Sequence, residues 1–327
     1  MKKSNKTLIG ILIITTTFLG CSTSDDSQRG NWVDRSAFDG IPRSNAAYFT
    51  IDDYGYMGTG YDGDDYLNDF WMYNIDGDYW VQKADFPGTP RSSATGFSLD
   101  GKGYVGIGYD GDNELIDFWQ YDPDQNVWEQ KADFGGGVRR AAIGFGVNGY
   151  GYIGTGYDGD YDMKDFWKFN PSTNEWTQLL GFGGNKRKDG SAFIINDMVY
   201  LGFGVTNGIN QVDFWKFDPS NETWTRLLDL DEEDDYNIAR SNAVAFSING
   251  LGYITTGYTS GALSTTWEYN PSLDTWEEIT ALEATVRQDA VGFSNNSRAF
   301  VTLGRSGSLY LYDTYELFPQ QEYDDED

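Results

Sequence analysis

The stretch RRAAIGFGVNGYGYIGTGYDGDYDMKDFWKFNPSTNEWTQLLG, residues 139–181, holds one complete copy of the unit from which the chain is built. Residues 141–147 are small and apolar, and Asn148-Gly149 is a pair that favours a tight hairpin turn. Residues 150–156 (YGYIGTG) alternate apolar residues with glycine. A polar loop follows at 157–164, then DFWKFN at 165–170, a PSTN turn at 171–174 and EWTQLL at 175–180. Four short segments of alternating character, separated by turn residues, predict four antiparallel strands.

The unit recurs. All eleven tryptophans fall on two of its positions: Trp32, Trp80, Trp128, Trp176, Trp224 and Trp276, and, nine residues ahead of the last five of these, Trp71, Trp119, Trp167, Trp215 and Trp267. An arginine follows each member of the first set: Arg43, Arg91, Arg139, Arg187, Arg240 and Arg287. The gap is 11 residues in five cases and 16 in the other. One structural unit of 47 to 53 residues is therefore used six times, a period that belongs to propellers and solenoids.

The chain of 327 residues carries a formal charge of −28 and 17% aromatic residues. Such acidity argues against a nucleic-acid partner, which needs a basic footprint, and against adhesion of the domain surface to anionic lipid. There is no histidine and a single cysteine, Cys21. This removes Ser-His-Asp and Cys-His nucleophile systems, zinc sites of the His/Cys type, His-ligated copper or iron, and any disulfide within the chain.

Residues 1–20 read as a secretory signal: Lys2, Lys3 and Lys6 precede an apolar run at 8–19 that is too short to span a bilayer. Phe18-Leu19-Gly20-Cys21 resembles a bacterial lipobox, which implies cleavage before Cys21 and lipidation of that residue. Ordinary cleavage, with Cys21 left as a thiol, is the alternative. Residues 21–30 are then a polar tether. The expected location is the outer membrane, facing the periplasm or the cell surface, with membrane contact only through the lipid on Cys21.

In its repeat the chain resembles the kelch family of β-propellers. The resemblance rests on the arginine before the first strand, a glycine pair near the end of the second, the segments Tyr121-Asp122-Pro123, Phe217-Asp218-Pro219 and Tyr269-Asn270-Pro271, and the fourth-strand tryptophan. The glycine pair is spaced as Gly-x-Gly here (Gly58/Gly60, Gly106/Gly108, Gly154/Gly156, Gly202/Gly204), and unit five keeps only Gly257, with Thr255 in the other slot. The resemblance implies an all-β, six-bladed propeller over residues 31–318. Each blade is a four-stranded antiparallel sheet, with blades starting near 43, 91, 139, 187, 240 and 287, and an acidic tail follows at 319–327. In unit six the third strand reads as 309–313, with Tyr310 in the tryptophan slot and no tryptophan after it. Trp32 precedes the first arginine, so residues 31–35 are expected to supply the fourth strand of blade six and close the ring. The competing assignment gives that strand to residues 315–318.

In such a blade the loop between strands two and three shares a face with the arginine, and strand one lines the channel. Two readings stand for Arg43, Arg91, Arg139, Arg187, Arg240 and Arg287. They clamp neighbouring loop carboxylates, or some of them bind an anion at the channel mouth. Arg140, Lys186 and Lys188 add charge only around blades three and four, which makes that sector the anion-site candidate. The second loops of blades one to three share a Tyr-Asp-Gly-Asp sequence and carry Asp62, Asp64 and Asp69; Asp110, Asp112 and Asp117; Asp158, Asp160 and Asp165. These loops are hairpin turns, Ca²⁺ ligands, or contacts to a ligand or partner. Blade four keeps only Asp213, and blades five and six have no acid in the loop proper. The insertion at 229–236 adds six acids on the same face.

Propellers of this kind span scaffolds and enzymes, so the fold does not settle the activity. Galactose oxidase shares the kelch unit, but its copper-site histidines and cysteine-linked tyrosine have no counterpart here. The sialic-acid epimerases (mutarotases) of bacterial envelopes are a second enzymatic resemblance, and no catalytic motif of theirs stands out. The leading expectation is a non-catalytic, monomeric binding module that presents its acidic loop face to a protein or glycan of the envelope. It has no catalytic residues and no cofactor beyond the Ca²⁺ reading of the aspartate loops.

Overall fold

The computed structural model describes residues 28–231, 237–324 and 326. Cys21, the signal-like segment before it and residues 232–236 of the acidic insertion lie outside the described residues. The described chain contains strands and no helix. Six four-stranded antiparallel sheets follow one another, and the first strands of neighbouring blades touch all the way round, blade six against blade one included. The protein is a six-bladed β-propeller.

Blade three consists of Ile143–Val147, Tyr150–Gly154, Phe166–Asn170 and Glu175–Leu179, each pairing with its neighbour in sequence. Blades one, two, four and five are built the same way, starting from Ala47–Ile51, Thr95–Leu99, Ser191–Ile195 and Val244–Ile248. Asn148 and Gly149 have φ of 53° and 77°, the left-handed pair that a two-residue hairpin turn demands. First strands alternate buried and half-buried residues. The buried set packs between blades and the other set lines the axis. Fourth strands are largely exposed, so the core lies between blades rather than at the outer rim.

Blades approach closely because a phenylalanine of one first strand lies on a glycine of the next second strand. A Cβ on Gly103 would sit 2.0 Å from the Phe49 ring, and Gly151 and Gly252 meet Phe97 and Phe193 in the same way. The fourth-strand tryptophans add a second tie. Trp128 and Trp176 lie against Phe70 and Phe118 of the preceding blade, with ring centroids 4.9 and 5.1 Å apart. Their indole N–H groups donate to Ala84 O and Ala132 O in the loop that enters their own blade.

The ring closes through Arg29–Arg35, which pairs with Thr314–Glu322 and places Trp32 opposite Leu317. The sheet order of blade six runs from Arg29–Arg35 through Thr314–Glu322 and Ala299–Thr302 to Val291–Ser294. Trp32 Nε1 donates to Thr280 O at 3.3 Å, and Thr280 stands as far ahead of Arg287 as Ala84 does of Arg91, so Trp32 occupies the fourth-strand slot.

Three expectations are corrected here. Residues 309–313 are not the third strand of blade six. Leu309–Tyr310 pairs with Arg305–Ser306 in a small hairpin, and Thr314–Glu322 is the third strand. The tryptophan slot is held by Tyr315, opposite Val301, as Trp167 lies opposite Ile153. Residues 315–318 are therefore not the fourth strand. The propeller strands also reach further than 31–318: Arg29 pairs with Glu322 across the closing ladder and is anchored by Glu268 and Glu277.

Candidate functional site

The six arginines are fully buried, and this removes them as ligand-binding residues. Each donates from Nη1 to the carbonyl of the middle residue of the Gly-x-Gly segment (Thr-x-Gly in blades five and six), for example Arg139 to Thr155 O at 2.8 Å and Arg187 to Phe203 O at 3.0 Å. Five of them also pair with a carboxylate on the same blade: Arg43 with Asp69, Arg91 with Asp117, Arg139 with Asp165, Arg187 with Asp213 and Arg287 with Asp313. In blades one to four that carboxylate also accepts the indole N–H of the third-strand tryptophan, as Asp165 does from Trp167 at 2.8 Å. Arg187 keeps the Asp213 carboxyl below its ordinary range although burial opposes it. The clamp is structural.

Blade five is the exception. Its second loop is one residue shorter between Gly257 and Trp267, and Thr265 stands where the aspartate belongs. Arg240 donates to Ile238 O, Thr256 O and Thr265 O, but among the described residues its Nη2 has no partner. Burial pushes this guanidinium down to about 10.

The aspartate loops of blades one to three are self-contained turns. Asp62 accepts the N–H groups of Asp64 and Asp65, Asp110 those of Asp112 and Asn113, and Asp158 those of Asp160 and Tyr161. The backbone N–H of Asn113, with that of Asp112, holds the Asp110 carboxyl below its usual range. Asp64, Asp112 and Asp160 point to solvent, whereas Asp69, Asp117 and Asp165 belong to the clamp. The nine aspartates therefore do not converge: among the described residues no three ligating side chains gather to hold a metal ion. Tyr61, Tyr109 and Tyr157 lock the turns by donating to Gly63 O, Gly111 O and Gly159 O at 2.5–2.6 Å.

The axial mouth is built from positions that the repeat leaves free to vary. Two residues beyond each arginine stand Asn45, Ser93, Ala141, Asp189, Asn242 and Asp289, all with positive φ between 52° and 58°. Each donates its backbone N–H to the carbonyl of its counterpart in the preceding blade, at 2.9–3.1 Å, and Asn45 donates to Asp289 O. The result is a closed ring of six hydrogen bonds around the axis. A second ring runs outside it, from the N–H of Gly60, Gly108, Gly156, Gly204, Gly257 and Gly304 to the arginine carbonyl of the following blade.

Above the inner ring opens a cavity of about 770 Å³, and below it lies a chamber of about 210 Å³ that reaches Tyr48. The wall of the mouth carries Arg140, Lys188 and Arg305. Arg140 lies over the rings of Tyr109 and Tyr157, 4.4 and 5.1 Å from their centroids, and 3.4 Å from Glu114. Lys188 lies 4.8 Å from the Tyr157 centroid. Arg305 pairs with Asp289 at 2.9 Å, and that buried carboxylate also accepts from Asn242 and Gln288. Asp189 accepts no side-chain hydrogen bond among the described residues, and burial, with Asp289 nearby, pushes its carboxyl up to about 7.

Of the anion-sector candidates the structure brings Arg140 and Lys188 to the mouth, while Lys186 lies over the Tyr161 ring outside it. Sequence reasoning missed Asp189, Asp289, Arg305 as a mouth residue, and Tyr48. Tyr48 is the one bulky residue at a channel level where the other blades have Gly96, Gly144, Ala192, Ala245 and Gly292. Aligning the six units on their arginines and reading down the unequal columns would have found them.

No family profile matches the sequence, and no curated protein matches it. Among solved structures the chain is similar to the one titled "Structure of YjhT", with a TM-score of 0.74 and 16% identity. The match covers 85% of this chain and 95% of that one. The likeness is one of fold.

Proposed function

We propose that this is a kelch-type binding propeller, held in the bacterial envelope by a lipid on Cys21, that receives an anionic, hydroxyl-rich ligand such as an acidic glycan at its axial mouth. The observation that carries the reading is the placement of charge. In a chain of net charge −28 the mouth wall carries Arg140, Lys188 and Arg305 beside Asp189 and the Arg305-paired Asp289, while the exposed aspartates of blades one to three stand on the surrounding loops. Tyrosine faces, serine and asparagine groups beside those cations suit a carboxylated sugar, which presents hydroxyls and a fixed negative charge. The recognising surface is thus the cationic mouth rather than the acidic loop face. Titration of the soluble domain with glucuronate tests it. Arg140→Met with Lys188→Met should weaken binding at least tenfold, and equal affinity for the double variant refutes the assignment. Incorporation of labelled palmitate, lost in Cys21→Ala, tests the anchor.

A second reading, a sugar-modifying enzyme of the mutarotase type, is favoured by one observation. Asp289 and Asp189 stand at the same mouth, the first hydrogen-bonded and paired with Arg305, the second with no side-chain donor among the described residues. A carboxyl raised to about 7 beside an ion-paired one can pass a proton in the opening of a hemiacetal ring. Exchange of sugar anomers followed by NMR, lost in Asp189→Asn, would support it, and an unchanged exchange rate over the uncatalysed one removes it.

A further inference from the structure

The rim of the mouth is interlocked on one side and open on the other. Gly63 packs under Tyr310, Gly111 under Tyr66 and Gly159 under Glu114, each at less than 3 Å from where a Cβ would stand. The chain of loop contacts continues from blade three to blade four through Thr206 Oγ1 and Asp162, 2.7 Å apart. At blade five the pattern stops. Its loop is the short one, and among the described residues a Cβ on Gly261 would meet nothing within 4 Å, as is also true of Gly208 and Gly307 in the loops on either side.

Two hairpins flank this gap. In blade four Val205–Thr206 pairs with Ile209–Asn210, and in blade six Arg305–Ser306 pairs with Leu309–Tyr310. Their tips, at Gly208 and Gly307, both border the mouth cavity, and Tyr258, Thr259 and Gly261 of blade five form the floor between them. Tyr258 also differs from its counterparts. The hydroxyls of Tyr61, Tyr109 and Tyr157 are spent on their own loops, whereas that of Tyr258 makes no hydrogen bond among the described residues, and its side chain is exposed.

We propose that the ligand is an oligosaccharide whose acidic terminal unit sits against Arg140 and Lys188 and whose following, uncharged units leave the mouth over blade five, between the two hairpins and across the face of Tyr258. This rests on the binding proposed at the mouth. A single sugar would need no channel leading out of the rim, while a chain does. The Thr-Ser-Gly floor carries no charge, so the units that cross it are neutral. An aromatic face with free hydroxyls beside it matches the alternating apolar and polar surfaces of a pyranose. A peptide would instead look for backbone partners along the hairpin edges.

The test compares two probes on the full soluble domain by calorimetry: glucuronate, and a tetrasaccharide of three neutral hexoses ended by glucuronate. The tetrasaccharide should bind at least tenfold more tightly than the monomer. Tyr258→Ala and Gly261→Leu should each remove that gain and leave the affinity for glucuronate unchanged. Gly261→Leu has room in the fold, so its melting temperature should stay at the wild-type value. Equal affinity of the two probes for the wild type, or a gain that survives both variants, overturns the chain-exit proposal while leaving the mouth assignment standing. Failure of glucuronate itself to bind overturns both. A hexapeptide ending in aspartate that shows the tenfold gain in place of the tetrasaccharide overturns the glycan assignment.

Discussion

Blade five offers a direct measure of what the arginine clamp is worth. Thr265→Asp restores the carboxylate that the other five blades place beside their arginine. Arg240 is fully buried, its Nη2 has no partner among the described residues, and burial pushes its guanidinium down to about 10 from 12.5. A displacement of that size corresponds to roughly 3 kcal/mol set against the charged form. A new carboxylate recovers only part of it, because it too is desolvated, so the expected gain is about 1–2 kcal/mol. For a domain of this size that raises the melting temperature by roughly 2–3 °C. Thr265→Asn supplies the same shape without the charge and should give less than half the shift. The pair lowers the pKa of the new carboxyl in the folded state. Its contribution is therefore present above the unfolded value of about 3.9 and is lost as pH falls through the folded value. Thermal melts of the wild type and both variants at pH 7 and pH 3 check this. Equal melting temperatures for the two variants at pH 7, or an aspartate variant below wild type, would show that Arg240 carries no uncompensated charge.

Two further outcomes follow from the axis and the seam. Asp189 is pushed up to about 7, chiefly by burial, with Asp289 and Asp162 adding and Lys188 and Arg140 opposing. A carboxyl raised in the fold favours folding below its unfolded pKa and loses that contribution as pH rises through the folded value. Asp189→Asn should thus melt with wild type at pH 4 and above it by a few degrees at pH 8, and a gap of the same size at both pH values refutes the titration. Trp32 is fully buried between Thr280 and the cluster of Val244, Phe246 and Leu317. Trp32→Ala should cost about 3–5 kcal/mol, read as a lower melting temperature, and a loss below 1 kcal/mol would mean that the closing strand is held by backbone pairing alone.

The architecture was legible because its signals are bulky and periodic. Trp32, standing ahead of the first arginine, showed how the ring closes without any knowledge of the third dimension. Blade six misled because residues 309–313 (LYLYD) alternate leucine with tyrosine as a strand can, and set Tyr310 in what read as the tryptophan slot. In the folded chain the clamp distance decides instead: Asp313 stands as far beyond Arg287 as Asp165 does beyond Arg139, and Tyr315 then falls in the tryptophan slot. The fate of the arginines was not legible. Clamp and anion site require the same residue types in the same order, and only burial separates them. The mouth left no motif at all, since it is made of positions at which the units disagree.

That disagreement is possible because of how the mouth is held. The arginine fixes the entry to each first strand through the Gly-x-Gly carbonyl and the clamp carboxylate, and the two hydrogen-bonded rings fix the next residues through backbone atoms alone. No side chain is needed to hold the inner ring, so its side chains are free to carry chemistry. The one demand is a left-handed backbone, which costs an ordinary L-residue about 1–2 kcal/mol and Asn or Asp less. Asn45, Asp189, Asn242 and Asp289 meet it at low cost and bring polar groups to the axis. Ser93 and Ala141 meet it at higher cost and leave the blade two to three sector of the ring small. Next to Ala141 stands Arg140, whose guanidinium reaches over Tyr109 instead of into the axis. The ring is therefore polar and carboxylate-bearing on the side of blades four to six and open beneath Arg140 on the other. For the ligand proposed above this asymmetry sets the expected orientation, with its acid beside Arg140 and Lys188 and its body toward blade five.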